Sequence, residues 1–276
     1  LAEAKGQKPK HRWGLPICGN QLKPMAMTQT DNLLALDPTA ERDMPYQAGS
    51  PDAPARAPRP KDAATLILIQ HTQSGPKILM GRRASGHSFM PDKYVFPGGK
   101  VDRCDRFVDA HDELHPQSAE DLSKANKTRH PRAFGLAAIR ETWEETGLLI
   151  GKPGSLPVRT LDAGWTSFKA AGIAPHLSPL RFFARAITPP QRHKRFDARF
   201  FIANAEEALY DMRPARDGAE MQDLRWFSLD EAFGLDLPNV TRFILTEVQT
   251  RLQSPDQPHS PAFLRWGRTG PLMDRL

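Results

Sequence analysis

Cysteine is scarce in this chain. Only Cys18 and Cys104 stand among 276 residues, and that count and spacing supply neither a disulfide framework nor a zinc site. They read as free thiols in a reducing compartment. Long apolar runs are missing as well. No stretch approaches the roughly 20 residues that a membrane helix needs, and the start has basic residues without a sustained apolar segment. The expectation is a cytoplasmic protein with no membrane partner, and Asp274-Arg275-Leu276 is not the Ser-Lys-Leu peroxisomal signal. Aromatic-basic modules of the kind that bind RNA are also absent. The net charge of +6 and pI near 9.4 therefore suit small polyanions better than a specific nucleic acid.

Proline, by contrast, is abundant at 26 residues, and it clusters outside the patterned segments. Residues 1–60 contain DAPARAPRPKD and few apolar runs, so they read as a poorly ordered, Pro-rich leader. Met25 and Met27 leave open a natural start inside it. At 39% hydrophobic, the remainder can bury one substantial core. The expected organisation is one catalytic domain over 61–255 and a C-terminal tail over 256–276.

Alternating apolar runs predict strands at 64–70 and 77–82, joined as a hairpin, and a short strand over 94–96. Further β-rich runs lie at 181–188, 198–204 and 222–228, and 238–252 has the pattern of an amphipathic helix. Pro131 suits the first turn of a helix that ends at Gly147, a residue type that commonly caps helix C-termini. The order of elements gives α+β or α/β, without choosing between them.

Two short phrases carry the chemistry. YVFPGGK delivers Gly98-Gly99 into a turn where backbone can approach a ligand closely. On the following helix, Glu141, Glu144 and Glu145 stand at i, i+3 and i+4, so they share a face and could surround one hard cation. Mg²⁺ or Mn²⁺ fits that donor set, since both prefer oxygen ligands and bridge carboxylates to phosphates. Such a glutamate run is usually a solvated helix face, but the strand before FPGG and the closing Gly147 favour a site.

These residues resemble the Nudix hydrolases, whose box reads G-x5-E-x7-R-E-U-x-E-E-x-G-U, with U a bulky apolar residue. Its second half matches Arg140, Glu141, Thr142, Trp143, Glu144, Glu145, Thr146, Gly147 and Leu148, with Thr142 the soft match. In the first half, Asp105 stands in place of glutamate, five residues after Gly99. Between Asp105 and Arg140 lie 34 residues where the family pattern has seven. The added stretch, about 106–131, is polar and mixed in charge and reads as a surface excursion. A long insertion at this place, with KRFDARFF over 194–201, is similar to the peroxisomal-type Nudix proteins that cleave coenzyme A and acyl-coenzyme A. A short-box coenzyme A signature upstream of FPGG is matched only at its first arginine, Arg83, with Ala84, Ser88 and Asp92 at its other positions.

The resemblance implies an α/β/α sandwich with a mixed β-sheet. It makes Glu144 and Glu145 metal ligands, Glu141 a ligand or general base, the Gly98 carbonyl a further ligand, and Arg140 the residue that orients the glutamates. Glu220, ahead of a strand, is a second candidate base, and Asp105 is read as structural. Arg192, Lys194 and Arg195 are candidate contacts for a substrate phosphate, as is Arg83. The implied partner is a small nucleoside diphosphate derivative. Coenzyme A leads, with ADP-ribose, NADH, a nucleotide sugar or a nucleoside triphosphate as alternatives. A nucleotide-binding module without turnover is the competing class, though it would be expected to lose box glutamates. Many relatives dimerise, which leaves a homodimer open.

Overall fold

In the computed structural model the described residues are 57–87, 89–125, 130–156, 163–190, 192–267 and 270–276. The leader expected over 1–60 lies almost wholly outside them, as does Ser88. In chain order the strands are β1 (Lys61–Thr72), β2 (Gly75–Arg83), β3 (Tyr94–Val95), β4 (Gly98–Lys100), β5 (Gly151–Pro153), β6 (Ile173–Pro175), β7 (Arg181–Ile187), β8 (Phe196–Asn204), β9 (Met221–Ser228), β10 (Ala262–Trp266) and β11 (Pro271–Arg275). The α-helices of five or more residues are α1 (Pro116–Ala125), α2 (Pro131–Thr146), α3 (Ala163–Ala170), α4 (Leu229–Phe233) and α5 (Asn239–Gln253).

Nine strands form one sheet in the order β11-β10-β7-β8-β1-β2-β3, with β4 added on β1 and β9 on β2. Pairing is parallel between β1 and β8 and between β10 and β7, and antiparallel elsewhere in the sheet, so the sheet is mixed. Alternation sorts the strand residues between two layers. Leu66, Leu68, Phe201 and Ala203 pack with Phe134, Leu136 and Ile139 of α2. Ile67, Ile69, Phe200 and Ile202 pack with Phe243, Ile244 and Val248 of α5. This is the expected α/β/α sandwich. Among the described residues no helix is long and apolar enough to cross a membrane.

Two expectations need correction. The insertion is no surface excursion: its described part folds onto the body, with Val108, Leu114 and Leu122 buried in the α2-side core. Its polar groups are satisfied by the body too. Ser118 Oγ accepts from Phe182 N at 3.0 Å, and Asp112 Oδ1 accepts from Leu177 N and Ser178 N at 2.7 and 3.1 Å. Apolar residues this sparse leave no helical period to read. The expected tail, in turn, supplies β10 and β11 to the sheet. Arg275 ties it down by donating to both Glu247 carboxylate oxygens at 2.6 and 3.1 Å.

Candidate metal and phosphate site

The box helix α2 begins with Pro131 in its first turn and ends at Gly147, whose φ of 71° is left-handed, as a glycine C-cap permits. It packs across β1 and β4. The glycine pair lets it come close. A Cβ on Gly98 would lie 2.6 Å from the Ala64 carbonyl oxygen and Thr65 Cα, and one on Gly99 would lie 2.4 Å from Glu141 Oε2. Gly98 N donates to Glu145 Oε2 at 2.7 Å, fastening the turn to the helix.

Arg140 is the hub of the box. Its Nε donates to Asp105 Oδ1 at 2.9 Å and its Nη2 to Asp105 Oδ2 at 3.2 Å and to the Lys100 carbonyl at 2.9 Å. Nη1 donates to Glu141 Oε1 at 2.9 Å and to Glu144 Oε2 at 3.0 Å. Burial alone would lower the pKa of this guanidinium, but the hydrogen bonds to Asp105 and the charges of Glu141 and Glu144 raise it above its usual value. Asp105, read from the sequence as structural, is fully buried and also accepts from Asp102 N at 2.8 Å. The insertion therefore leaves the box's first acidic position in contact with its arginine, 35 residues further on.

Glu141 and Glu145 are held differently. Burial pushes Glu145 up to about 8, with the Arg83 charge and the Gly98 N–H pulling the other way. Burial also pushes Glu141 up to about 7, opposed by Arg140 and reinforced by Glu144. Both lie above the usual carboxylate range because their negative charge is incompletely compensated. Glu141 and Glu144 are turned onto Arg140, so among the described residues no three acidic, imidazole or thiolate groups are gathered to hold a metal ion. The carboxylates the sequence places on one face thus share a cavity without yet converging.

That cavity, about 940 Å³, is lined by Gly98, Glu141, Glu144, Glu145 and Arg140, and also by Arg83, Glu220, Arg192, Lys194 and Arg195. Every candidate residue from the sequence thus borders one space. Their surroundings differ. Arg83, at the end of β2, is half-buried near Glu145, Glu220 and Glu141, and desolvation lowers its pKa. Glu220 is exposed, and its carbonyl accepts from Ala84 N at 3.0 Å. Lys194 is exposed at the rim and Arg192 is buried. Arg195 departs from the expectation of a free phosphate fork: Nε donates to the Thr188 carbonyl at 3.1 Å and Nη1 to the Pro58 carbonyl at 2.9 Å.

Sequence reasoning overlooked two neighbours. His87 Nδ1 lies 2.8 Å from the Phe89 carbonyl oxygen. The tautomer that donates there leaves Nε2 to accept from Arg83 Nη1 at 3.0 Å. Gly164 in α3 abuts the box, where a Cβ would lie 2.2 Å from Glu144 Oε1 and 2.9 Å from Arg140 Cγ. A glycine inside a helix was the available signal, since it costs about 1 kcal/mol unless packing requires it.

Comparison with known proteins finds Nudix hydrolases among the similar sequences and structures. A bacterial protein solved as a NUDIX hydrolase from Alicyclobacillus acidocaldarius superposes with a TM-score of 0.52 and 26% identity, covering 71% of this chain and 96% of that one. The chain is 26% identical to acyl-coenzyme A diphosphatase NUDT19 of Xenopus laevis, over 62% of this chain and 63% of that protein. It is 29% identical to a Caenorhabditis elegans protein provisionally named nudix hydrolase 7, over 63% of this chain and 54% of that one. These matches and the shared fold support the Nudix hydrolase superfamily for this chain. It spans between half and two thirds of the length of these curated Nudix relatives. No family profile matches it.

Proposed function

We propose that this protein is a divalent-cation-dependent hydrolase of the phosphoanhydride in a nucleoside diphosphate linked to a second group. Coenzyme A or acyl-coenzyme A is the substrate we assign, giving 3′,5′-ADP and phosphopantetheine or its acyl form. The observation that carries this reading is that the half-buried Glu141 and the buried Glu145 border one cavity with Glu144 and Gly98, where burial raises the pKa of both.

A hard dication fits the donors in chemistry, since every candidate ligand is oxygen. Glu141, Glu144, Glu145 and the Gly98 carbonyl would hold Mg²⁺ or Mn²⁺, which when bound would screen phosphate charge and acidify water. The chain's own residues do the remainder. Arg140 keeps Glu141 and Glu144 on the cavity side through its 2.9 and 3.0 Å hydrogen bonds. Glu141 takes the proton of the attacking water, with Glu220, which lines the same cavity, as the alternative base. Arg83 neutralises phosphate charge beside Glu145, while Arg192 and Lys194 bring positive charge to a second phosphate at the rim. Arg195 contributes charge but has committed Nε and Nη1 to backbone carbonyls. We assign the catalytic unit to residues 61–275 as one domain, acting on a small molecule in the cytoplasm.

The test is a product-mass assay with Mg²⁺ or Mn²⁺ against coenzyme A, acetyl-coenzyme A, NADH, ADP-ribose, a nucleotide sugar and nucleoside triphosphates. Formation of 3′,5′-ADP is the expected outcome. Preference for another diphosphate would retain the hydrolase and discard coenzyme A, and silence across the panel would overturn the activity.

A further inference from the structure

Arg83 and His87 both line the cavity beside the glutamates. Desolvation weighs against the Arg83 charge, and Glu145, Glu220 and Glu141 offset that cost only by attraction at longer range. The Nε atom is buried without a hydrogen-bond partner. Among the described residues, the only acceptor of this guanidinium belongs to His87, with Nη1 at 3.0 Å from Nε2 and 3.2 Å from Nδ1. A long cationic side chain with one fixed contact loses less rotamer freedom when an anion arrives than a free one does. The geometry of that contact therefore decides where the charge points.

Only one protonation form of His87 suits these distances. With its proton on Nδ1, the ring donates to the Phe89 carbonyl at 2.8 Å and accepts from Arg83 through Nε2. With the proton on Nε2 instead, a lone pair would face that carbonyl oxygen and an N–H would face the guanidinium. With both protonated, two cations would meet at 3.0 Å. Burial and the Arg83 charge lower the pKa of His87, as does Lys194 more weakly, while the Phe89 carbonyl and Glu220 raise it. The body of the fold fixes the ring in turn. His87 N donates to the Ala84 carbonyl at 2.9 Å, and Ala84 N donates to the Glu220 carbonyl at 3.0 Å. Phe89, whose carbonyl orients the imidazole, packs edge-on against Phe196 of β8 with ring centroids 5.0 Å apart.

We infer that His87 is a positioning residue, whose Nδ1-protonated ring holds the Arg83 guanidinium toward the cavity for a phosphate oxygen and acts on binding through Arg83. The inference rests on the proposed activity only for the identity of the anion that Arg83 meets.

A double-mutant cycle reads that dependence. The probe is α,β-methylene-ADP, in which a carbon replaces the oxygen bridging the two phosphorus atoms and blocks hydrolysis, followed by calorimetry with Mg²⁺ at neutral pH. Arg83→Ala should weaken binding about 30-fold and His87→Ala about tenfold, as hydrogen bonds to charged groups do. In the Arg83→Ala background, His87→Ala should cost less than about twofold, because nothing is left for it to orient. His87→Gln, whose amide oxygen can replace Nε2 as acceptor, should recover binding to within about threefold of wild type. Thermal melts check that each variant is folded, with His87→Leu replacing His87→Ala if the latter is not. Losses that multiply in the double variant, a His87→Gln no better than His87→Ala, or a wild type that does not bind the probe would overturn the inference. Coupled losses without hydrolysis of any substrate would sink the proposed activity and leave His87 its role; hydrolysis with independent losses would do the reverse.

Discussion

Asp105 and Glu145 are two buried acids of one box, 0% and 7% exposed, and the fold treats them in opposite ways. Asp105 receives Arg140 Nε and Nη2 and the Asp102 N–H. Glu145 receives one backbone N–H, from Gly98, and the charge of Arg83 at longer range, too little to stop burial from pushing it up to about 8. The first acid completes a structural ion pair. The second is held at a cost in electrostatic energy that a bound cation would relieve, which is how a site can be built ahead of its ligand.

Exchanging the acids should separate the two roles. Glu145→Gln should reduce metal-dependent turnover by more than about 100-fold, since even the outer partners of metal ligands are worth about 10–100-fold. Its thermal melt in chelator should stay close to wild type. Asp105→Ala should act on stability instead, by about 3–5 kcal/mol in denaturant titration, because it removes the fully buried partner of Arg140 Nε and Nη2. Equal stability losses in the two variants would erase the distinction.

The contrast also predicts a pH dependence. Glu145 at about 8 and Glu141 at about 7 both hold protons more tightly in the folded state than a free carboxylate does. Their contribution to stability is full below the ordinary carboxylate pKa and is lost as pH rises through about 7 to 8. In chelator, the wild-type melting temperature should therefore fall as pH rises from the ordinary carboxylate value of 4.5 to about 8, and Glu145→Gln should flatten the fall. Mn²⁺ should restore stability most at the alkaline end, because its ligands must be deprotonated. A melting temperature that rises over this range in chelator would contradict the assignment. The smallest expected effect is that of Gly164→Ala. Its Cβ would displace Glu144 from Arg140, lowering turnover about tenfold while stability changes by no more than about 1 kcal/mol.

The sequence carried the two phrases of the box because their chemistry is local: a glycine turn, and glutamates spaced on one helix. The β1–β2 hairpin, the box helix with Pro131 and Gly147 at its ends, and α5 were legible for the same reason, each announcing itself by period or by cap. Partners distant in the chain were not. Glu145 with Gly98 is a pairing across 47 residues, and the turn of Arg195 toward Pro58 spans 137. The insertion and β10–β11 were misjudged because each buries a few scattered apolar residues, such as Leu114, Leu122 and Leu264, which only the assembled core makes meaningful.

The most direct test of the account is Mn²⁺ binding to wild type and Glu145→Gln at pH 8, followed by calorimetry or by loss of the free-ion magnetic resonance signal. The account predicts binding by the wild type and a loss of more than about 100-fold in affinity in the variant. Equal affinity in the two proteins would show that the buried carboxylate is not part of a cation site.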